Sequence, residues 1–147
     1  MPQTVAEFRE KFQVDAMTLF ANDGWTVSLR PKAATLGACV ISANRPHPTL
    51  AEISAEEALQ FTEAVAWFER AARGAFRADK FNYLALMMVD DQLHFHALPR
   101  YAAERSAGGV SWTDPGWPGQ PDLGHDPGAG GEAMAAVRGA MLAGARS

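Results

Sequence analysis

The sequence predicts an α+β domain, an antiparallel sheet with one long helix laid across it, and three observations carry that expectation. Ser54-Ala55-Glu56-Glu57 is a capping box opening a long amphipathic stretch. The apolar segments 25–29, 37–42, 81–89 and 92–98 are short and separated by turn-forming residues, as strands are. The chain has 147 residues, 48% apolar and 20% charged. That size hides roughly 68–70% of the unfolded surface, enough for one core.

Val5, Phe8 and Phe12 recur at helical spacing and predict a short amphipathic N-terminal helix laid on the domain. Asn22-Asp23-Gly24 is a turn signal, after which Trp25, Val27 and Leu29 alternate with Thr26 and Ser28 in a strand closed by Arg30-Pro31-Lys32. Residues 37–42 form a second strand, ended by Asn44-Arg45-Pro46-His47-Pro48. The long helix follows, its stripe of Ala58, Phe61, Val65, Phe68, Ala72 and Phe76 requiring a flat packing partner. Residues 81–89 are nearly all apolar without helical period, the pattern of a central strand covered on both faces. Asp90-Asp91 turns the chain into residues 92–98. Residues 106–131 contain 12 Gly or Pro and predict no regular element, yet Trp112 and Trp117 lie there, so the segment reads as an arm pinned by two indoles. The expected division is residues 1–105 as the domain and 106–147 as an arm with a short terminal helix packed on it.

Charge and cysteine content narrow the function classes. Thirteen basic against 17 acidic side chains, a net charge of −4 with no basic run, argue against a nucleic-acid polymer as partner. The single cysteine, Cys39, excludes an intrachain disulfide framework. Neither an uninterrupted apolar leader nor a bilayer-length apolar run is present, so the expectation is a cytoplasmic protein without a membrane partner.

Chemistry concentrates in Gln92-Leu93-His94-Phe95-His96-Ala97-Leu98. Side chains two apart on a strand share a face, which places Gln92, His94 and His96 together and Leu93, Phe95 and Ala97 opposite. Structural histidines bonded to backbone are one reading of the pair. A His-x-His chelate is another, but it needs a third ligand, and no metal is assigned.

The segment from Gln92 to Pro99-Arg100 resembles the motif of the histidine triad (HIT) superfamily, hydrolase branch, with glutamine in place of the first histidine. The likeness extends upstream through the strands at 25–29 and 37–45, the long helix and the strand at 81–89, about three fifths of the chain. It implies a strongly bent antiparallel sheet of about five strands and a homodimer whose sheets join. The implied activity is hydrolysis of a nucleotide phosphoanhydride, such as a dinucleoside polyphosphate, with His94 as nucleophile and His96 beside it. The nucleophilic step requires no cofactor, and a divalent cation would enter as counter-ion of the substrate. A nucleotide-binding module with little turnover and a nucleotidyltransferase to a metabolite are the alternatives.

Two departures bear on rate. Gln92 cannot deliver a proton at neutral pH, and the supporting histidine that relatives carry on the earlier strand is Ala38 here. Acid–base assistance is worth about 10²–10⁴-fold, or roughly 3–5.5 kcal/mol of barrier. Phosphoramidates, whose amine must leave protonated, are therefore expected to be poor substrates, whereas an acidic polyphosphate leaving group needs less help. Arg30, Lys32 and Arg45 fall where relatives contact nucleotide and phosphate. Arg100 is a further phosphate candidate, or a partner for Asp90 or Asp91. Trp117 could cover His94 or stack on a base.

Overall fold

The computed structural model describes residues 3–146. Helix α1 (Val5–Lys11) starts at a Thr4–Glu7 capping box and ends at Phe12. Gln13 then takes a left-handed conformation (φ 53°), which turns the chain into the single-turn helix α2 (Val14–Met17). Strands β1 (Thr18–Ala21), β2 (Trp25–Leu29) and β3 (Cys39–Ala43) form an antiparallel meander, and helix α3 (Ala55–Phe76) follows from the Ser54–Glu57 capping box. β4 (Lys80–Leu84) and β5 (His94–Arg100) complete a five-stranded antiparallel sheet in the order β1-β2-β3-β5-β4. β1 is the strand that no sequence pattern singled out; the turn at Asn22-Asp23-Gly24 joins it to β2.

One face of the sheet carries Val27, Leu29, Cys39, Ile41 and Ala97, which pack with Ala64, Phe68, Ala71 and Ala72 of α3 into the main core. Trp25 is fully buried there; its indole donates to the Glu57 carbonyl (2.8 Å), and its ring meets Phe61 edge-on. α4 (Gly131–Gly144), where a terminal helix was expected, lies against α3 at a contact so close that a Cβ on Gly74 would sit 2.4 Å from the Gly144 carbonyl oxygen.

Two expectations are corrected. The strand at 81–89 is neither central nor that long. β4 is the edge of the sheet and stops at Leu84, and beyond it Leu86, Met88 and Val89 are exposed, the last two above 80%. Continuous apolarity marked residues left open to solvent, not residues covered on both faces. The Gly/Pro-rich segment also contains regular structure: Gly108 and Gly109, at φ 58° and 80°, make the tight turn of a hairpin between β6 (Arg105–Ala107) and β7 (Val110–Trp112). Trp112 is pinned as expected, 2% exposed in the main core and donating to the Ala33 carbonyl.

Candidate functional site

The second face of the sheet carries the histidines. Register pairs His94 with Ser42 and His96 with both Val40 and Leu84, so these side chains share a face with Leu98 and Arg100 further along β5. The rings of His94 and His96 meet at 5.1 Å, nearly perpendicular. His94 Nδ1 lies 2.7 Å from the Gln92 carbonyl oxygen. A carbonyl only accepts, so Nδ1 carries the proton and Nε2 keeps a free lone pair. Burial lowers the pKa of His94, with the Gln92 bond and Asp90 opposing. Burial, then the Arg30 and His94 charges, hold His96 at about 4. Both rings are therefore neutral at pH 7. That state suits a nucleophile and leaves neither ring as a ready acid.

Gln92 does not face this pair as alternation predicted. It precedes β5, on a bend, and its side chain turns to the loop after β3: Nε2 donates to the carbonyls of Ala43 (3.1 Å) and Arg45 (2.8 Å), and Oε1 accepts from the His47 amide. Period-two alternation holds only inside a strand, and the strand begins at His94. The residue replacing the first histidine thus ties two loops together and is spent on backbone.

His94 is also not open. It is 3% exposed, with Phe8 of α1 at 4.9 Å and Phe12 at 5.7 Å between ring centres; Phe12 also reaches His96 at 6.3 Å. What remains beside the two histidines is a hollow of about 130 Å³ walled by Leu86, Met87, Met88, Val89 and Asp90. At ~30 Å³ per water that is room for roughly four waters, well below the ~300–1,000 Å³ of a ligand pocket. A cleft of about 580 Å³ lies beside Gln92, between residues 3–5 and the Asn44–Pro48 loop, lined by His47 but by neither His94 nor His96.

The cationic candidates are dispersed. Arg30, half-buried, donates to the Lys32 and Leu123 carbonyls, and burial lowers its pKa; its charge is felt at His96. Lys32 is exposed. Arg45 pairs with Glu57 at 3.5 Å, joining His47, whose Nε2 lies 2.8 Å from the same carboxylate. Ser54's backbone amide, with His47 assisting, draws the pKa of Glu57 down to about 2. Arg100 pairs with neither Asp90 nor Asp91. Its Nε and Nη2 grip both oxygens of Asp114, 2.6 and 3.1 Å away, and Nη1 donates to Asn82. The Trp117 ring stands 6.0 Å from that guanidinium, in a separate groove with Asn82 and Lys80. Arg100 is four residues beyond His96, roughly 13 Å at strand rise.

The arm therefore does not cover His94. Leu123 covers Leu84, Ala38 and Leu98 at the far end of the same face. The cover over His94 is the N-terminal helix, whose Phe8 and Phe12, four apart, were read only as an amphipathic stripe. Lys11 and Asp90, which meet at 2.8 Å beside the hollow, were also missed: 79 positions apart, they leave no local pattern.

An antiparallel sheet of this order, crossed by one long helix, with a His-x-His pair on its second face, defines the HIT fold. No family model matches the chain and no curated protein matches it in sequence. Solved structures do. A HIT-like protein involved in cell-cycle regulation from Bartonella henselae superposes with TM-score 0.68 at 14% identity, over 93% of each chain. A histidine triad protein from Sinorhizobium meliloti gives 0.67 at 17%, over 91% of this chain and 93% of its own. A hypothetical histidine triad nucleotide-binding protein from Sulfolobus tokodaii gives 0.67 at 12%, over 88% and 83%. This chain is a HIT-like protein in fold. Among its described residues no three His, Cys, Asp or Glu form a metal-holding group, and no helix is long and apolar enough to cross a membrane.

Proposed function

We propose that this chain binds a nucleotide on the His94–His96 face and that His94 Nε2 attacks phosphorus, with a phosphoanhydride such as a dinucleoside polyphosphate as the substrate class. The supporting observation is the Nδ1–H bond to the Gln92 carbonyl, which fixes the tautomer and leaves the Nε2 lone pair free. In that step an Nε2–P bond forms while the P–O bond to the leaving phosphate breaks, its electron pair departing with the oxygen. Water then attacks the same phosphorus, a P–O bond forms as the N–P bond breaks and its electrons return to Nε2, and the water's surplus proton is released to solvent as the product phosphate ionises. A polyphosphate leaves without needing a proton, which matches a site whose imidazoles are both neutral. A divalent cation would accompany the substrate as counter-ion. A homodimer is the proposed assembly, supported by the open edge of β4 beside exposed Leu86, Met88 and Val89.

A second reading, nucleotide binding with little turnover, is favoured by the engagement of the Gln92 side chain with the 43–47 loop. Incubation with a radiolabelled dinucleoside polyphosphate, followed by a denaturing gel at mildly alkaline pH, separates the two. Label on the wild type that vanishes in His94→Asn supports covalent chemistry. Nucleotide binding without label supports the second reading, and neither binding nor label refutes both.

A further inference from the structure

We propose that α1 is a displaceable plug over His94, so that the nucleophile is exposed only when this helix swings away; the proposal rests on His94 being the reactive group. Phe8, 1% exposed, lies tilted against the His94 ring, while Phe12 stacks on Phe8 and reaches both imidazoles. Together with Val14 and Val40 these phenylalanines form a small apolar cluster of their own, separate from the main core. A satellite cluster opens at lower cost than a core in which every element is locked to its neighbours.

The rest of the attachment is polar: within the helix Arg9 donates to the Thr26 hydroxyl of β2 (3.4 Å) and pairs with Asp15 of α2, and the other bonds lie at the helix ends. Before α1, the Gln3 amide donates to Asp91 and its side chain to Asp90 (2.9 Å), and its Oε1 accepts from the Gln92 amide. At its far end Lys11 Nζ bonds both oxygens of Asp90, at 2.8 and 3.0 Å. Asp90 is thus the common anchor of both ends and also a wall of the hollow beside His94. Burial raises its pKa, but the Lys11 and Gln3 bonds outweigh that and hold it below the usual carboxylate range, so it is ionised at neutral pH. Directly after the helix, Gln13 sits at φ 53°, a left-handed break between α1 and α2 that can take up rotation. The helix is therefore fastened by ionic and amide bonds around a two-ring plug and ends at a hinge. A polyanion arriving at the hollow would compete with Asp90 for Lys11 and loosen the clasp it must pass.

The test reads exposure of His94 directly, with diethyl pyrocarbonate as probe and peptide mass spectrometry to assign the modified ring; His125 of the arm serves as internal reference. Wild-type His94 is expected to react far more slowly than His125. Phe8→Ala should raise its rate about 10²-fold or more, since truncating a buried phenylalanine removes most of what holds the helix down. Lys11→Ala should raise it roughly two- to five-fold, the range of a partly exposed ion pair, and added salt should accelerate the wild type but not this variant. Should Phe8→Ala unfold, Lys11→Ala and the salt series still decide. Wild-type His94 reacting as fast as His125, or rates unchanged in folded variants, overturns the plug. His94 exposed in Phe8→Ala yet binding no nucleotide and taking no label overturns the functional reading alone. Nucleotide label on His94 with rates indifferent to both variants overturns the plug alone.

Discussion

Replacing His96 by glutamine should flatten the loss of stability between pH 6.5 and 4. In the folded chain His96 is 7% exposed, its Nδ1 has no hydrogen-bond partner among the described residues, and its pKa is held at about 4 by burial and by the Arg30 and His94 charges against Asp90. In the unfolded chain the ring returns to about 6.5. Above 6.5 the ring is neutral in both states and contributes nothing to the pH dependence. As pH falls through 6.5 the unfolded state takes a proton that the folded state refuses, so stability declines until about pH 4, where the folded ring protonates too. The interval of 2.5 pH units at 1.36 kcal/mol each bounds the loss at ~3.4 kcal/mol, and solvent screening brings the expected value to ~2 kcal/mol. Urea unfolding followed by tryptophan fluorescence at pH 7.5, 6, 5 and 4 measures it. The stability gap between wild type and His96→Gln should move by ~2 kcal/mol in the variant's favour across that range. Glu57 acts in a different window: its pKa lies at about 2, so its contribution fades only as pH falls below the usual carboxylate value of 4.5. Parallel curves for the two proteins from pH 7.5 to 4 would refute the claim that His96 is buried neutral.

Two further outcomes are expected. Arg100→Ala leaves the Asp114 carboxylate buried without its bidentate partner, so urea unfolding should show ~3–5 kcal/mol lost, with the groove around Trp117 disordered in crystals or by indole fluorescence. Gln92→His, which restores the motif's first histidine, should cost ~1–3 kcal/mol, because the imidazole cannot reproduce the bonds to the Ala43 and Arg45 carbonyls and the His47 amide; phosphoramidate hydrolysis should not rise above wild type.

Much of the fold was legible because its signals are local. The Ser54–Glu57 capping box and the apolar stripe behind it locate α3, and the turn residues between short alternating segments locate β2 and β3. Alternation from His94 onward places both imidazoles on one face, since side-chain direction along a strand is set by pleat alone. The same rule failed at Gln92, one bend before the strand, and apolarity misplaced the end of β4, because periodicity reports what a regular element does and not where it stops.

By itself, then, the sequence determined that this chain forms an antiparallel sheet crossed by one capped helix and that two histidines emerge side by side. Tertiary structure decided what those histidines meet: Phe8 and Phe12 from a helix more than 80 positions away, the Lys11–Asp90 clasp, and an Arg100 committed to Asp114. Local steric preference can be read from neighbours in the chain. The identity of a covering group depends on the path that brings distant segments together, and no spacing along the sequence encodes that path.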